Sequence, residues 1–315
     1  AISLPFLPFD EKIVLSSTGA LALTSVPEKL LIVGAGVIGV EMGSIYQRLG
    51  SQVTFLEFLP KICPAFDFSI SKGLQKNLEA QGMTFHLSHQ VVKSDFSQKP
   101  TLTALHEGKE TTFEADQILV AIGRKPYTNG LNLAKASIEI GSKGSILVDP
   151  SFRTSQPHIF AIGDLIDGPM LAHKASAEGM AVAELIGGKT PTVDYFSIPN
   201  VAYTHPEAAS VGLTEEEVKG RNIPYKHVQI PFKANPRARC NLEEDGFVKM
   251  IVEQDSLKLL GVHILSANAS ELIHEAALAL HQRLTAKDLA STVHAHPTLA
   301  ETLYEAALAL LSNTV

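Results

Sequence analysis

The run "KLLIVGAGVIGVEMGSIYQRLGSQVTFLEF", Lys29 to Phe58, sets Gly34, Gly36 and Gly39 between two apolar segments. This G-x-G-x-x-G spacing constrains the fold more than any other feature of the chain. "LLIVGAG" is continuously apolar and β-branched, which predicts a fully buried strand. Val37 to Leu49 predicts a helix stopping at Gly50, and "QVTFLEF" predicts the next strand. At such a junction the first glycine permits a tight turn and the second lets a pyrophosphate approach bare main chain. The third lets helix and strand pack closely. The helix start also offers unpaired N–H groups and partial positive charge to phosphates. Small residues serve close packing too, so the glycines alone leave both uses open.

Glu57 ends the following strand, 23 residues after Gly34. An acid there can bind a ribose 2′-hydroxyl and would repel a 2′-phosphate, and no arginine stands in "EFLPKICP" to attract one. This favours NAD over NADP, against the plainer reading of Glu57 as a solvated strand-end acid. Glu41, two residues beyond Gly39, reads equally well as a first-turn acid complementing the helix dipole.

A chain of 315 residues has room for two or three domains, and 45% hydrophobic residues suffice for real cores. A net charge of −7 gives no basic footprint, which argues against nucleic acid as a partner. No apolar run reaches the ~20 residues of a membrane helix, so no membrane partner is expected. Cys63 and Cys240 form no C-x-x-C pattern and read as reduced thiols of an intracellular protein. No metal site is expected.

Further along, "DFSISKGLQKNLEAQG" predicts an amphipathic helix closed by Gly82. "TFHLSHQVV", "TLTALHEG" and "TTFEADQILVAIG" predict strands joined by tight turns. Together these make an α/β Rossmann-like nucleotide-binding domain. Past "RKPYTNGLNL", short strands lead to "HIFAIGD" and then to a small-residue helix at "LAHKASAEGMAVAELIGG". From "FSIPNVAYTHPEAASVGLTEEE" onward the strands "HVQIPF", "GFVKMIVEQ" and "LLGVHIL" precede helices from Ser270 to Leu284 and from Thr298 onward, an α+β module.

Asp164, closing the apolar strand of "HIFAIGD", can accept a sugar or polyol hydroxyl or cap the next helix. In "HAHPTLAETLYEA", His296 beside Glu301 can serve as an acid or base near neutral pH. Thr298-x-x-Glu301 also fits a capping box, which gives Glu301 a purely structural duty. His294 has the weaker claim to chemistry.

In order along the chain, the glycine run, "LVAIGRKPYT", "IFAIGDLIDGPMLAHKA", "VAYTHPEAASVGLTEEE" and "HAHPTLAETLYEA" resemble the flavin-dependent pyridine nucleotide-disulfide oxidoreductases. The likeness covers nearly the whole chain and is strongest to the dihydrolipoamide dehydrogenase branch. Mercuric reductases lack the terminal histidine-glutamate pair. Glutathione reductases carry a related pair but usually bind NADPH through arginines.

The resemblance implies that Gly34, Ala35, Gly36, Val37, Ile38, Gly39, Val40 and Glu41 cradle NAD, with Glu41 near the nicotinamide. Glu57 would hold the adenine ribose, Val91 would lie beside the adenine, and Gly123 would give a backbone contact. Asp164 and Met170, Leu171, Ala172 and His173 would bind FAD. His296 would be the acid–base residue, oriented by Glu301, acting in the partner subunit of a homodimer. The implied reaction is oxidation of protein-bound dihydrolipoamide to lipoamide, with electrons passing through a redox disulfide and FAD to NAD. The implied partners are lipoyl domains of 2-oxoacid dehydrogenase or glycine cleavage complexes.

The family's flavin domain opens with its own glycine signature and carries a C-x-x-x-x-C disulfide, and neither stands in this sequence. The expected organisation is therefore residues 1–23 as the tail of a missing flavin domain and 24–124 as the NAD-binding domain. Residues 125–194 would be a flavin-contacting central segment and 195–315 an interface domain. Any leader would lie in the missing part, so the compartment is the cytoplasm or, in a eukaryote, the mitochondrial matrix. Two alternatives stay open: a stand-alone NAD-binding and dimerisation module without turnover, and a glutathione-type reductase.

Overall fold

The computed structural model describes residues 1–312. They fall into two compact units. The larger joins Ser3–Ile122 with the chain from Phe196 onward, and the smaller joins Ala1–Ile2 with Gly123–Tyr195.

In the first half of the larger unit run β1 (Val14–Leu15), α1 (Ser17–Leu21), β2 (Lys29–Val33), α2 (Val37–Arg48), β3 (Gln52–Leu56) and α3 (Phe68–Ala80). Then follow β4 (Thr84–His86), β5 (Gln90–Asp95), β6 (Thr101–His106), β7 (Lys109–Glu114) and β8 (Gln117–Val120). A parallel sheet forms in the order β1-β8-β2-β3-β4. The unbroken apolar run of β2 is buried along Leu30–Val33, as a strand covered on both faces must be. Helix α2 packs on this sheet so closely that a Cβ at Gly43 would sit 2.3 Å from the Phe55 ring. "TFHLSHQVV" does not continue as one strand. Ser88 takes a left-handed φ of 55°, so β4 stays in the parallel sheet while β5 starts an antiparallel sheet with β6 and β7.

In the smaller unit, helix α4 (Ala172–Ile186) packs with Leu133, Ile146, Phe152, Ala161 and Ile166. The short strands expected before Asp164 are corrected here. Only the isolated bridges Ile140–Ile146 and Arg153–Phe160 form, and Gly163–Leu165 is a 3-10 turn. Gly141, Gly144, Pro150 and Pro157 break the runs before a ladder can grow.

The second half of the larger unit holds β9 (Asn200–Ala202), β10 (Glu207–Gly212), α5 (Glu215–Gly220), β11 (Tyr225–Pro231), α6 (Pro236–Asn241), β12 (Phe247–Glu253) and β13 (Leu259–Ser266). Helices α7 (Ala269–His281), α8 (Ala286–Ser291) and α9 (Glu301–Leu311) close it. The strands form an antiparallel sheet, β11-β12-β13-β10-β9, and Ile273, Ala276, Leu303 and Ala307 of α7 and α9 bury its face. Helix α7 stops at His281, earlier than expected. Thr285 and Asp288 then form a capping box that starts α8, which the sequence pattern had hidden. Helix α9 starts at Glu301 and not at Thr298.

The two halves share one core. Ile70 and Leu74 of α3 cluster with Ala202, Ala208, Phe247 and Leu265. Gly73 makes the contact possible, since a Cβ there would lie 2.9 Å from Leu265. Beside it is a buried polar junction, where the Lys249 ammonium meets Asp67 at 2.9 and 3.0 Å and Glu215 at 2.6 Å. No helix among the described residues is long and apolar enough to cross a membrane.

Candidate functional site

The glycine loop sits where β2 ends and α2 begins. Gly34 has φ 97°, a conformation L side chains rarely adopt, and a Cβ on it would lie 2.6 Å from the Ala121 carbonyl oxygen. A Cβ at Gly39 would lie 2.2 Å from the Gly34 carbonyl oxygen, so packing dictates that glycine too. Gly36 differs. Its φ is −70°, and a Cβ there would meet no atom within 4 Å. The fold does not require a glycine at Gly36; a ligand lying on the main chain would. Gly36 is also the N-cap of α2, and no side chain caps the helix. Val37 and Ile38 are half-buried behind it, while Ala35 and Val40 are buried.

Glu57 has a duty that its position in sequence did not reveal. One carboxylate oxygen accepts the Ala35 N–H at 2.6 Å and the other accepts the Leu59 N–H at 2.7 Å. It is 7% exposed, so the carboxylate braces the loop from beneath. An ionised carboxylate has about four lone-pair sites, which leaves capacity for ribose hydroxyls. The residues therefore fit an NAD with an unphosphorylated ribose. Val91 is buried in the cluster containing Val33 and Leu56, the residues that end the strands flanking the loop. Glu41, half-buried one turn into α2, accepts the Tyr203 N–H at 2.8 Å. Burial raises its pKa, and the Tyr203 N–H tempers the rise.

Cys63 supports the same loop, donating its N–H to the Ala35 carbonyl at 2.8 Å. Burial pushes its thiol up to about 12, with Glu41 and Glu57 adding to the rise, whereas Cys240 is exposed. A maleimide added to native protein is expected to label Cys240 alone, and both thiols only after denaturation, as read by intact mass. Comparable native labelling of both would contradict this environment for Cys63.

Two candidates belong to the smaller unit. Gly123 has φ 124°, and its carbonyl accepts the Ile2 N–H at 3.0 Å. Asp164 is 43% exposed, with an Arg124 nitrogen at 3.7 Å. The preceding Gly163 peptide is held from both sides. Its N–H donates to Glu178 at 2.7 Å, and its carbonyl accepts from Lys174 at 3.0 Å. Lys174 and Glu178 are themselves a fully buried pair 3.1 Å apart. Helix α4 begins at Ala172 with Leu171 as N-cap and no side-chain cap, Met170 half-buried before it and His173 exposed. An exposed carboxylate on a rigid turn beside an uncapped helix start suits hydroxyl and phosphate groups, so these residues fit FAD. A cavity of about 450 Å³ in this unit, lined by Phe152, Asp167 and Tyr195 among others, contains none of the candidate residues.

His296 and Glu301 are together. The ring Nδ1 lies 2.9 Å from one Glu301 oxygen, and the other oxygen accepts the Thr298 N–H at 2.7 Å. The Thr298 N–H and then His296 hold the Glu301 carboxyl below the usual carboxylate range. Only half of the expected capping box exists, because the Thr298 hydroxyl donates to the Ala295 carbonyl and caps nothing. Glu301 therefore serves the helix start and the histidine at once. A proton on Nδ1 donated to Glu301 leaves Nε2 as the basic nitrogen, on a side chain that is 70% exposed. His294, weakly regarded from sequence, is 7% exposed and its Nε2 lies 2.9 Å from Glu275. That partner, 19 residues earlier on α7, leaves no local signal.

Residues 7–179 match the pyridine nucleotide-disulphide oxidoreductase model, and residues 198–307 match the dimerisation domain of the same group. The chain is 49% identical over 99% of its length to dihydrolipoyl dehydrogenase, mitochondrial, from Pisum sativum, of which it covers 63%. It is also 49% identical over 98% of its length to leghemoglobin reductase from Glycine max, covering 59% of that protein. It thus spans less than two thirds of these curated relatives. Among solved structures, LpdA from Mycobacterium tuberculosis superposes with a TM-score of 0.89 at 26% identity, covering 98% of this chain and 67% of that one. The flavoprotein disulfide reductase RclA from Escherichia coli gives 0.88 at 28% identity, covering 98% and 70%.

Proposed function

We propose that this chain, which belongs to the pyridine nucleotide-disulphide oxidoreductase family, forms the NAD-binding and dimer-forming part of a flavoprotein that oxidises protein-bound dihydrolipoamide to lipoamide. The observation that carries the reading is the β2–α2 junction. An uncapped helix start, open space at Gly36 and the braced Glu57 together suit a pyrophosphate followed by a ribose free of phosphate.

Gly34 to Val40 cradle the pyrophosphate, which meets the main chain at Gly36 and the helix start behind it, and Glu57 takes the adenine ribose with Val91 beside the base. Glu41 lies toward the nicotinamide, and Gly123 gives a backbone contact. Asp164 and the segment from Met170 to His173 would hold FAD, which would supply two-electron transfer from the reduced, dithiol form of a redox disulfide to NAD. Neither Cys63, buried, nor Cys240, exposed, forms a disulfide, so we assign the redox pair to sequence outside these residues. Nε2 of His296 removes the thiol proton of dihydrolipoamide while Glu301 fixes the ring, because thiolate is the species that attacks a disulfide. Lipoyl domains are the substrates, and the pair acts across a homodimer interface built on residues 195–315. Relatives named as mitochondrial favour the mitochondrial matrix over the cytoplasm.

Calorimetric titration of the protein with NADH and NADPH tests the cofactor assignment. NADH is expected to bind at least about tenfold more tightly, since Glu57 accepts hydroxyls and repels phosphate. Equal affinity, or preference for NADPH, would overturn the role of Glu57 and favour a glutathione-type reductase.

A further inference from the structure

His294 stands two residues before His296 and is nearly out of solvent. Both of its ring nitrogens face oxygen acceptors. Nδ1 lies 2.9 Å from the Thr292 carbonyl and Nε2 lies 2.9 Å from the Glu275 carboxylate. Each ring nitrogen therefore has an oxygen acceptor within hydrogen-bond reach, so the ring is fixed from both edges. It lies beside the Tyr304 ring, 5.4 Å between centroids and tilted by 37°. Tyr304 follows Glu301 by three residues on α9, so the two share a helix face. His294 thereby ties α7, its own loop and α9 together around the pair. His296 itself is held by the side-chain contact to Glu301 alone among the hydrogen bonds described for its ring. The far side of the segment is pinned by the buried Asn235, whose amide nitrogen donates to the Thr298 carbonyl at 2.9 Å and to the Thr302 hydroxyl at 3.0 Å.

We propose that His294, locked between Glu275 and the Thr292 carbonyl, is a positioning residue that aims the His296–Glu301 pair at the substrate thiol. The inference rests on the acid–base reading of His296. The His294–Glu275 hydrogen bond ties the loop that carries this exposed base to α7. Displacement of a reacting group by about 1 Å can cost on the order of 100-fold in rate. The hydrogen bond to Glu275 and the ring contact with Tyr304 resist that displacement.

The test uses full-length dimer and steady-state dihydrolipoamide oxidation, with dimer mass and thermal midpoint followed for each variant. His294→Phe, which keeps the ring and loses the donors, is expected to lower kcat by about 10- to 100-fold with little change in KM for NAD. Glu275→Gln is expected to fall in the same direction. The double variant should lose no more than the worse single, because the two act as one unit. His294→Gln, which restores N–H donors, should recover most of the loss. A His294→Phe enzyme within twofold of wild type, or additive losses in the double variant, would overturn the proposal. If His294→Phe fails to assemble, Glu275→Gln decides: an assembled Glu275→Gln dimer with unchanged kcat overturns the proposal and a tenfold loss supports it. His296→Gln is measured alongside. Retained turnover there removes the acid–base reading itself, whereas loss there with intact His294→Phe removes only this inference.

Discussion

His296→Gln in the full-length dimer is expected to lower dihydrolipoamide turnover by about 10²–10⁴-fold, the usual worth of a positioned general base. A dithiol with a pKa near the ordinary thiol value of about 8.5 is mostly protonated at neutral pH. Without a base, the attacking thiolate must come from that small ionised fraction. Glutamine keeps the size of the side chain and can still hydrogen-bond Glu301, so the loss isolates basicity from shape. NADH affinity should be unchanged, since no glycine-loop contact is touched. The Glu301 carboxyl lies below its ordinary range in the folded protein. Its contribution to orienting the ring is therefore present above the unfolded carboxylate value and is lost as pH falls through the folded one. Steady-state turnover paired with an NADH titration checks both halves, and normal turnover would remove the base assignment.

Lys249→Met is expected to destabilise the protein by about 3–5 kcal/mol, the cost of leaving a buried countercharge alone. Lys249 is 2% exposed on β12 and Asp67 is fully buried at the start of α3. Asp67 also accepts N–H groups from Ser69 at 2.9 Å and Glu215 at 3.0 Å, so it cannot move toward solvent without breaking both. Burial alone would raise its pKa, yet His263, the Glu215 N–H and Lys249 together pull it below the ordinary value. Glu215 is likewise opposed by burial and is drawn down to about 2 by Lys219, Lys249 and Tyr225.

Both carboxyls are depressed, so their stabilisation is fully present above the unfolded values of about 4 and is lost as pH falls through the folded ones, about 2 for Glu215. The part-exposed Glu215 is screened, which leaves Asp67 the larger share. In Lys249→Met the ammonium beside Asp67 is gone and burial is opposed by His263 and the N–H donors that remain. Acid unfolding should then begin at higher pH. Urea melts at neutral pH and an acid titration followed by circular dichroism measure both effects. Loss of less than about 1 kcal/mol, with an unchanged acid transition, would show that the junction is solvated.

The parts of the fold with strong local signals were legible. The apolar run of β2, the stop at Gly50 and the strand-then-helix order of the second half of the chain each follow from short-range pattern. Residues that act through distant partners were not. Lys249 lies in "FVKMIVE", where alternation would turn it to solvent, but β12 is buried through Phe247–Val252 and its partner Asp67 is 182 residues away. His294 needs Glu275 to matter, and Glu57 needs the Ala35 N–H before its bracing role exists. "HIFAIGD" has the composition of a strand, yet its pairing stops at the single Arg153–Phe160 bridge. Thr298 and Glu301 have capping-box spacing, but the threonine hydroxyl turns back to Ala295 and the helix waits for Glu301.

Main chain at Gly36 is assigned to the pyrophosphate, and Gly36→Ala tests this most directly. Its φ of −70° suits alanine and the added methyl meets no protein atom, so the melting curve should match wild type. The methyl would occupy the space assigned to the phosphates, and NADH affinity by calorimetry should drop about tenfold or more. A folded Gly36→Ala protein that binds NADH as tightly as wild type would put the dinucleotide somewhere else.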